Sequence, residues 1–266
     1  MHARAIAREV ASELLDAGAD AVVLGGSVAR GDQHAYSDID IVALSADAVE
    51  HPPYALRIVH GRLVSVSWST ADGVRQLLDA PQSAGATVPA WRSAEILVDT
   101  RLRARSLQQF AHEWRWARIA EACDGWIAAE FPAYAEEVFR LAGQLERGNE
   151  LVVAVMRSVL ALRLPALVAV QRRLFYESEN ELWQLVADTV GGQWGPVHRA
   201  ALGIGCDNDS AARAALSLWA LAAAEVDGVI TDPDDRAVVR AATDIAESVG
   251  GATRRSGFRG DGPAAG

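Results

Sequence analysis

Two short apolar runs, 21–24 and 39–44, frame the pattern that most narrows what this chain can become: Gly25-Gly26-Ser27 closes the first, and Asp38-Ile39-Asp40 opens the second, eleven residues after the serine. Runs of this length bounded by glycine and polar residues read as buried strands. Alternate side chains of a strand share a face, so Asp38 and Asp40 project side by side, about 6–7 Å apart. Two like charges so placed repel unless a cation lies between them, and paired carboxylates suit a hard divalent ion such as Mg²⁺. Glycine at a strand end lets the backbone approach a phosphate closely, and Gly26 and Ser27 offer N–H and hydroxyl donors there. Arg30 follows three residues later as the nearest cation. Each feature alone is commonplace. Strand, Gly-Ser, fixed step and Asp-x-Asp in register predict a site for a metal-bound polyphosphate.

Around this centre, Ile6, Val10, Leu14 and Leu15 fall at helical spacing over 3–17, with Gly18 as a stop. Residues 63–68 alternate, Leu63, Ser65 and Ser67 on one face and Val64, Val66 and Trp68 on the other, which predicts a third strand. A helix over 71–78 and a last strand at 96–98 complete a small mixed sheet with helices, an α+β domain placed at 1–105. From residue 106 the pattern is almost wholly helical, with helices expected at 107–129, 132–147, 150–174, 179–190, 195–203, 209–229 and 233–249. These form an all-α helical bundle over 106–250, and the Gly-, Arg-, Ser- and Pro-containing stretch 251–266 is expected to be a disordered tail.

Charge narrows the partner. The net charge is −10, with 13 acids against 10 arginines in residues 1–105 and 22 against 15 in the remainder. Nucleic acid is not the expected partner, because binding it draws on a basic surface. An acidic helical half suits a cationic small molecule. All 25 basic residues are arginine, so any phosphate clamp is arginine or backbone, and no lysine chemistry is available. Two distant cysteines argue for neither a disulfide framework nor a zinc site. The six histidines show no ligand spacing, and the eight tryptophans are expected mainly in packing. The most apolar stretch, 151–170, is interrupted by Arg157, Arg163 and Pro165 and reads as a buried helix, so no membrane partner and a cytoplasmic setting are expected.

Gly26-Ser27-Val28-Ala29-Arg30 with Tyr36-Ser37-Asp38-Ile39-Asp40 resembles the polymerase-β-type nucleotidyltransferase superfamily, most closely its kanamycin nucleotidyltransferase-like, antibiotic-modifying branch. Tyr134-Ala135-Glu136-Glu137-Val138-Phe139-Arg140-Leu141-Ala142-Gly143 is similar to the helix carrying that branch's catalytic base, and 167–176, with Arg172-Arg173, to its next long helix. The resemblance implies transfer of a nucleoside monophosphate, AMP being the one expected, from Mg²⁺-bound ATP or another nucleoside triphosphate to a hydroxyl of a cationic antibiotic such as an aminoglycoside. It implies Asp38 and Asp40 as catalytic metal ligands, with Gly26, Ser27, Arg30 and Ser37 on the nucleotide. It also implies a homodimer; Glu136 or Glu137, one turn before the position that matches the branch's base, is the expected proton acceptor if the helix is shifted.

Three positions depart from the branch. Its third carboxylate falls at Ser65, which brings no charge for a second metal or a base. Its base falls at Arg140, which does not accept a proton at physiological pH. The lysine its helix presents to phosphate falls at Gln144, a loss that Arg140 could offset as a clamp. Loss of two carboxylates at once motivates a second expectation: a nucleotide-binding protein with weak or no transfer, serving regulation or partner binding. Transfer to a protein target is the third.

Overall fold

A computed structural model describes residues 2–46 and 51–251; the expected disordered tail, apart from Gly251, lies outside the described residues. The chain divides into two compact units, 1–120 with 175–181, and 121–174 with 182–266.

The first unit is built on a five-stranded mixed sheet. Its strands are β1 (Ala21–Leu24), β2 (Ile39–Leu44), β3 (Tyr54–Val59), β4 (Arg62–Ser69) and β5 (Glu95–Asp99), in the order β3-β4-β2-β1-β5. Only the β2–β4 pair is parallel. Helix α1 (Ala3–Asp16) lays Ile6, Val10 and Leu14 against Val22, Leu24, Ile39, Ile41, Val64 and Val66, the alternate residues of three neighbouring strands. A helix period thus meets a strand period along one apolar seam. Because Ile39 and Ile41 point at α1, Asp40 between them points away from it.

A five-residue helical turn, α2 (Gly26–Arg30), follows β1, and α3 (Ala71–Leu78) and α4 (Pro81–Ser93) lie between β4 and β5. Thr70 caps α3 by accepting the Gly73 N–H at 3.0 Å. Helix α5 (Arg103–Glu113) packs against α3, α4, β1 and β5 and belongs with them to the sheet unit. The helix expected over 107–129 is two helices, because Trp114 and Arg115 are extended before a 3-10 turn leads into α6 (Ala120–Glu130).

The second unit is the expected all-α bundle, with α6 from Glu121, α7 (Ala135–Glu146), α8 (Glu150–Gln171), α9 (Glu179–Val190) from Leu182 on, α10 (Trp194–Ala201), α11 (Asn208–Val226) and α12 (Pro233–Gly250). Helices α8 and α11 form its centre, and Phe131 stacks on Trp219 with ring centroids 4.5 Å apart. Asp207 and Asp232 cap α11 and α12. Among the described residues α8 alone is long and apolar enough to cross a membrane by length and composition; Val153, Leu160, Leu164, Leu167 and Val168 on it are buried in the protein.

Candidate active site

Gly26 adopts φ +61°, and a Cβ built on it would lie 2.0 Å from Asp40 Oδ2, so only glycine allows the turn after β1 to lie flat against that carboxylate. The Gly25 N–H donates to the Asp40 carbonyl at 2.9 Å. Through these two contacts the Gly-Ser turn and the Asp-x-Asp strand, separate in sequence, become one surface.

Asp38 is half-buried and immediately precedes β2; Asp40, also half-buried, is the second residue of the strand. Asp40 stands in register with Ser65 on β4, and the Ser65 hydroxyl donates to Asp40 Oδ1 at 2.8 Å. Burial raises the Asp40 carboxyl above the usual carboxylate range; the Ser65 hydrogen bond opposes this, the Asp38 charge adds to it, and Arg30 opposes it.

The connector between α2 and β2 holds itself in place. Ser37 Oγ accepts the His34 N–H at 2.9 Å, and His34 Nδ1 accepts the Tyr36 N–H at 3.1 Å. Arg62, the first residue of β4, donates to the Ser37 carbonyl at 2.8 Å and so braces the residue before Asp38. Arg30 Nε donates to Asp32 at 3.2 Å, and its Nη1 donates to the Glu177 carbonyl at 3.2 Å.

The sheet unit therefore gathers Gly26, Ser27, Arg30, Ser37, Asp38 and Asp40. Glu136, Glu137 and Arg140 form their own cluster on α7 in the helical unit, where Arg140 pairs with both acids. Glu137 is the better shielded, its side chain 19% exposed against 65% for Glu136, and its Oε2 is buried without a hydrogen-bond partner. Sequence reasoning did not find Arg62 or the contact of Glu177 with Arg30. Arg62 acquires meaning only from the parallel β2–β4 pairing, and Glu177 lies 147 residues from Arg30.

Among the described residues no group of three or more His, Cys, Asp or Glu gathers as a metal cage. The donor set is two carboxylates and one hydroxyl. That set fits Mg²⁺, which commonly takes one or two protein carboxylates and completes its shell with substrate phosphates and water.

The mixed sheet with its helices, followed by the helical bundle, is a nucleotidyltransferase-like fold. Residues 4–82 match the nucleotidyltransferase domain family. Among solved structures, the chain is similar in fold to a nucleotidyltransferase-like protein from Exiguobacterium sibiricum, at 11% identity and a TM-score of 0.50, over 96% of this chain and 80% of that one. No curated protein sequence matches.

Proposed function

We propose that the protein is a Mg²⁺-dependent nucleotidyltransferase that moves a nucleoside monophosphate, AMP first among them, from a nucleoside triphosphate to a hydroxyl of a small cationic acceptor of the aminoglycoside kind. The observation that carries the nucleotide part is the contact of Gly26 with Asp40, which joins a phosphate-accommodating turn to a carboxylate pair. The acceptor part rests on the resemblance and on the acidic helical half.

In this reading Asp38 and Asp40 hold the metal, and Gly26, Ser27, Ser37 and Arg30 hold the nucleotide. Asp38 and Asp40 would hold Mg²⁺, which would supply charge neutralisation to the phosphates. The acceptor oxygen bonds to the α-phosphorus, the bond to the β-phosphate breaks, and pyrophosphate leaves. Glu137, and after it Glu136, is the proposed acceptor of the hydroxyl proton, with Arg140 either orienting these acids or clamping phosphate. A cytoplasmic homodimer belongs to the same proposal.

The Ser65–Asp40 hydrogen bond favours a second reading. A hydroxyl stands where a third carboxylate would, so the site is suited to holding a nucleotide with weak or no transfer. Labelled ATP, Mg²⁺ and a panel of aminoglycosides and lincosamides separate the two. Labelled acceptor supports the first; tight Mg-ATP binding with no labelled product, small molecule or protein, supports the second. No Mg-ATP binding at all overturns both.

A further inference from the structure

The segment 175–181 follows the longest helix of the bundle in sequence, yet it is part of the sheet unit. Phe175 fixes it there. Its ring stacks on Trp116 at 5.2 Å, meets Trp114 edge-on at 5.8 Å, and lies beneath the Arg92 guanidinium at 4.8 Å. The next residue is held by a vacancy in α4. Pro89 lacks the N–H that would bond the carbonyl four residues earlier, and that carbonyl, of Gly85, accepts the Tyr176 N–H at 3.1 Å.

With Phe175 and Tyr176 anchored, Glu177 is delivered to Arg30. Its carbonyl accepts from Arg30 Nη1 at 3.2 Å, its carboxylate lies 3.9 Å from the same nitrogen, and the Ser93 hydroxyl donates to that carboxylate at 3.3 Å. An acid at this place could instead serve the start of α9, but that work is done by its neighbours. Ser178 Oγ accepts the Asn180 N–H at 3.2 Å, and the Glu181 carboxylate accepts the N–H of Glu177 itself at 3.2 Å. The Glu177 side chain is thus not needed by the helix.

Arg30 is consequently gripped from two sides, by Asp32 at Nε and by Glu177 at Nη1, and its side chain is 17% exposed. A long arginine fixed in advance has already lost its rotamer freedom, and a ligand that meets it does not bear that loss. We infer that Glu177 is a positioning residue of the nucleotide site, which holds the Arg30 guanidinium in the orientation from which it meets the triphosphate. This rests on the nucleotide-binding reading above.

The test is Mg-ATP binding by calorimetry on the full chain and its Glu177→Ala, Glu177→Gln, Arg30→Ala and double variants. Glu177→Ala, which removes the carboxylate 3.9 Å from Nη1 and leaves the carbonyl that accepts from it, should weaken binding a few-fold, Glu177→Gln less, and Glu177→Ala should add nothing once Arg30 is gone. Wild-type affinity in Glu177→Ala, or an equal loss with and without Arg30, overturns the inference while leaving nucleotide binding intact. A second measurement needs no nucleotide: by NMR, exchange of the Arg30 Nη hydrogens should speed up several-fold in Glu177→Ala. Unchanged exchange overturns the positioning role. Failure of the wild-type chain to bind Mg-ATP sinks the nucleotide reading itself and leaves the exchange rate to decide on Arg30.

Discussion

Ser65 donates its hydroxyl to Asp40 Oδ1 at 2.8 Å from the directly paired position on β4. The pairing makes position 65 the place where a further carboxylate would most directly affect the proposed metal ligands. Ser65→Asp should lower the melting temperature by several degrees in chelator, because like charges directly paired across a sheet repel. Added Mg²⁺ should restore it, and any transfer activity should rise. Melting that ignores Mg²⁺ would show that the pair does not form a cation site.

Gly26→Ala should be among the most damaging single-methyl changes available. The new Cβ would meet Asp40 Oδ2 at 2.0 Å, at a φ of +61° that disfavours alanine. We expect a loss of roughly 2 kcal/mol or more in stability together with loss of Mg-ATP binding, read by denaturant unfolding and calorimetry. Wild-type values for both would contradict the close approach.

Asp40 carries a stability penalty. Burial raises its carboxyl pKa, so the ionised form present at neutral pH is disfavoured in the folded chain and is relieved as pH falls through the raised value. Asp40→Asn should therefore melt higher than wild type in Mg²⁺-free buffer near pH 7 while failing to bind Mg-ATP. A lower melting temperature would refute the sign.

His198 gives the bundle an opposite dependence. Burial lowers its pKa from 6.5 while the Nε2–H bond to the Ala161 carbonyl at 2.9 Å pulls it partly back. A base whose folded pKa is depressed contributes stability in full above its unfolded pKa and loses it as pH falls toward the folded value. His198→Gln, which keeps an N–H donor, should show a flatter fall in melting temperature than wild type from pH 7 to 5. Parallel curves would remove His198 as the cause.

Strands β1 and β2 were legible as short apolar runs, and β4 and helix α1 because each alternates or repeats toward a buried side. Strand β3 was not: Tyr54, Leu56 and Ile58 alternate toward solvent on a sheet edge, so no core-facing signal exists. Helix α4 was hidden by Pro81, Gly85 and Pro89, which read as loop punctuation and yet lie within a helix. Of the candidate site, Gly26, Asp38 and Asp40 were readable from a local pattern. Arg62 and Glu177 reach the site only through strand register and a long return of the chain, which local spacing does not encode.

That return also sets an order of events during synthesis. The sheet unit is interrupted after Ala120 and resumes at Phe175, so on the ribosome the partly made unit waits for about 55 more residues, several seconds at rates of about 5–20 residues per second. Until then Trp116 lacks its stacking partner and the Gly85 carbonyl lacks the Tyr176 donor. Completion of the N-terminal unit is thereby tied to translation well into the C-terminal half, and a fragment stopped at Ala120 would lack the segment that grips Arg30.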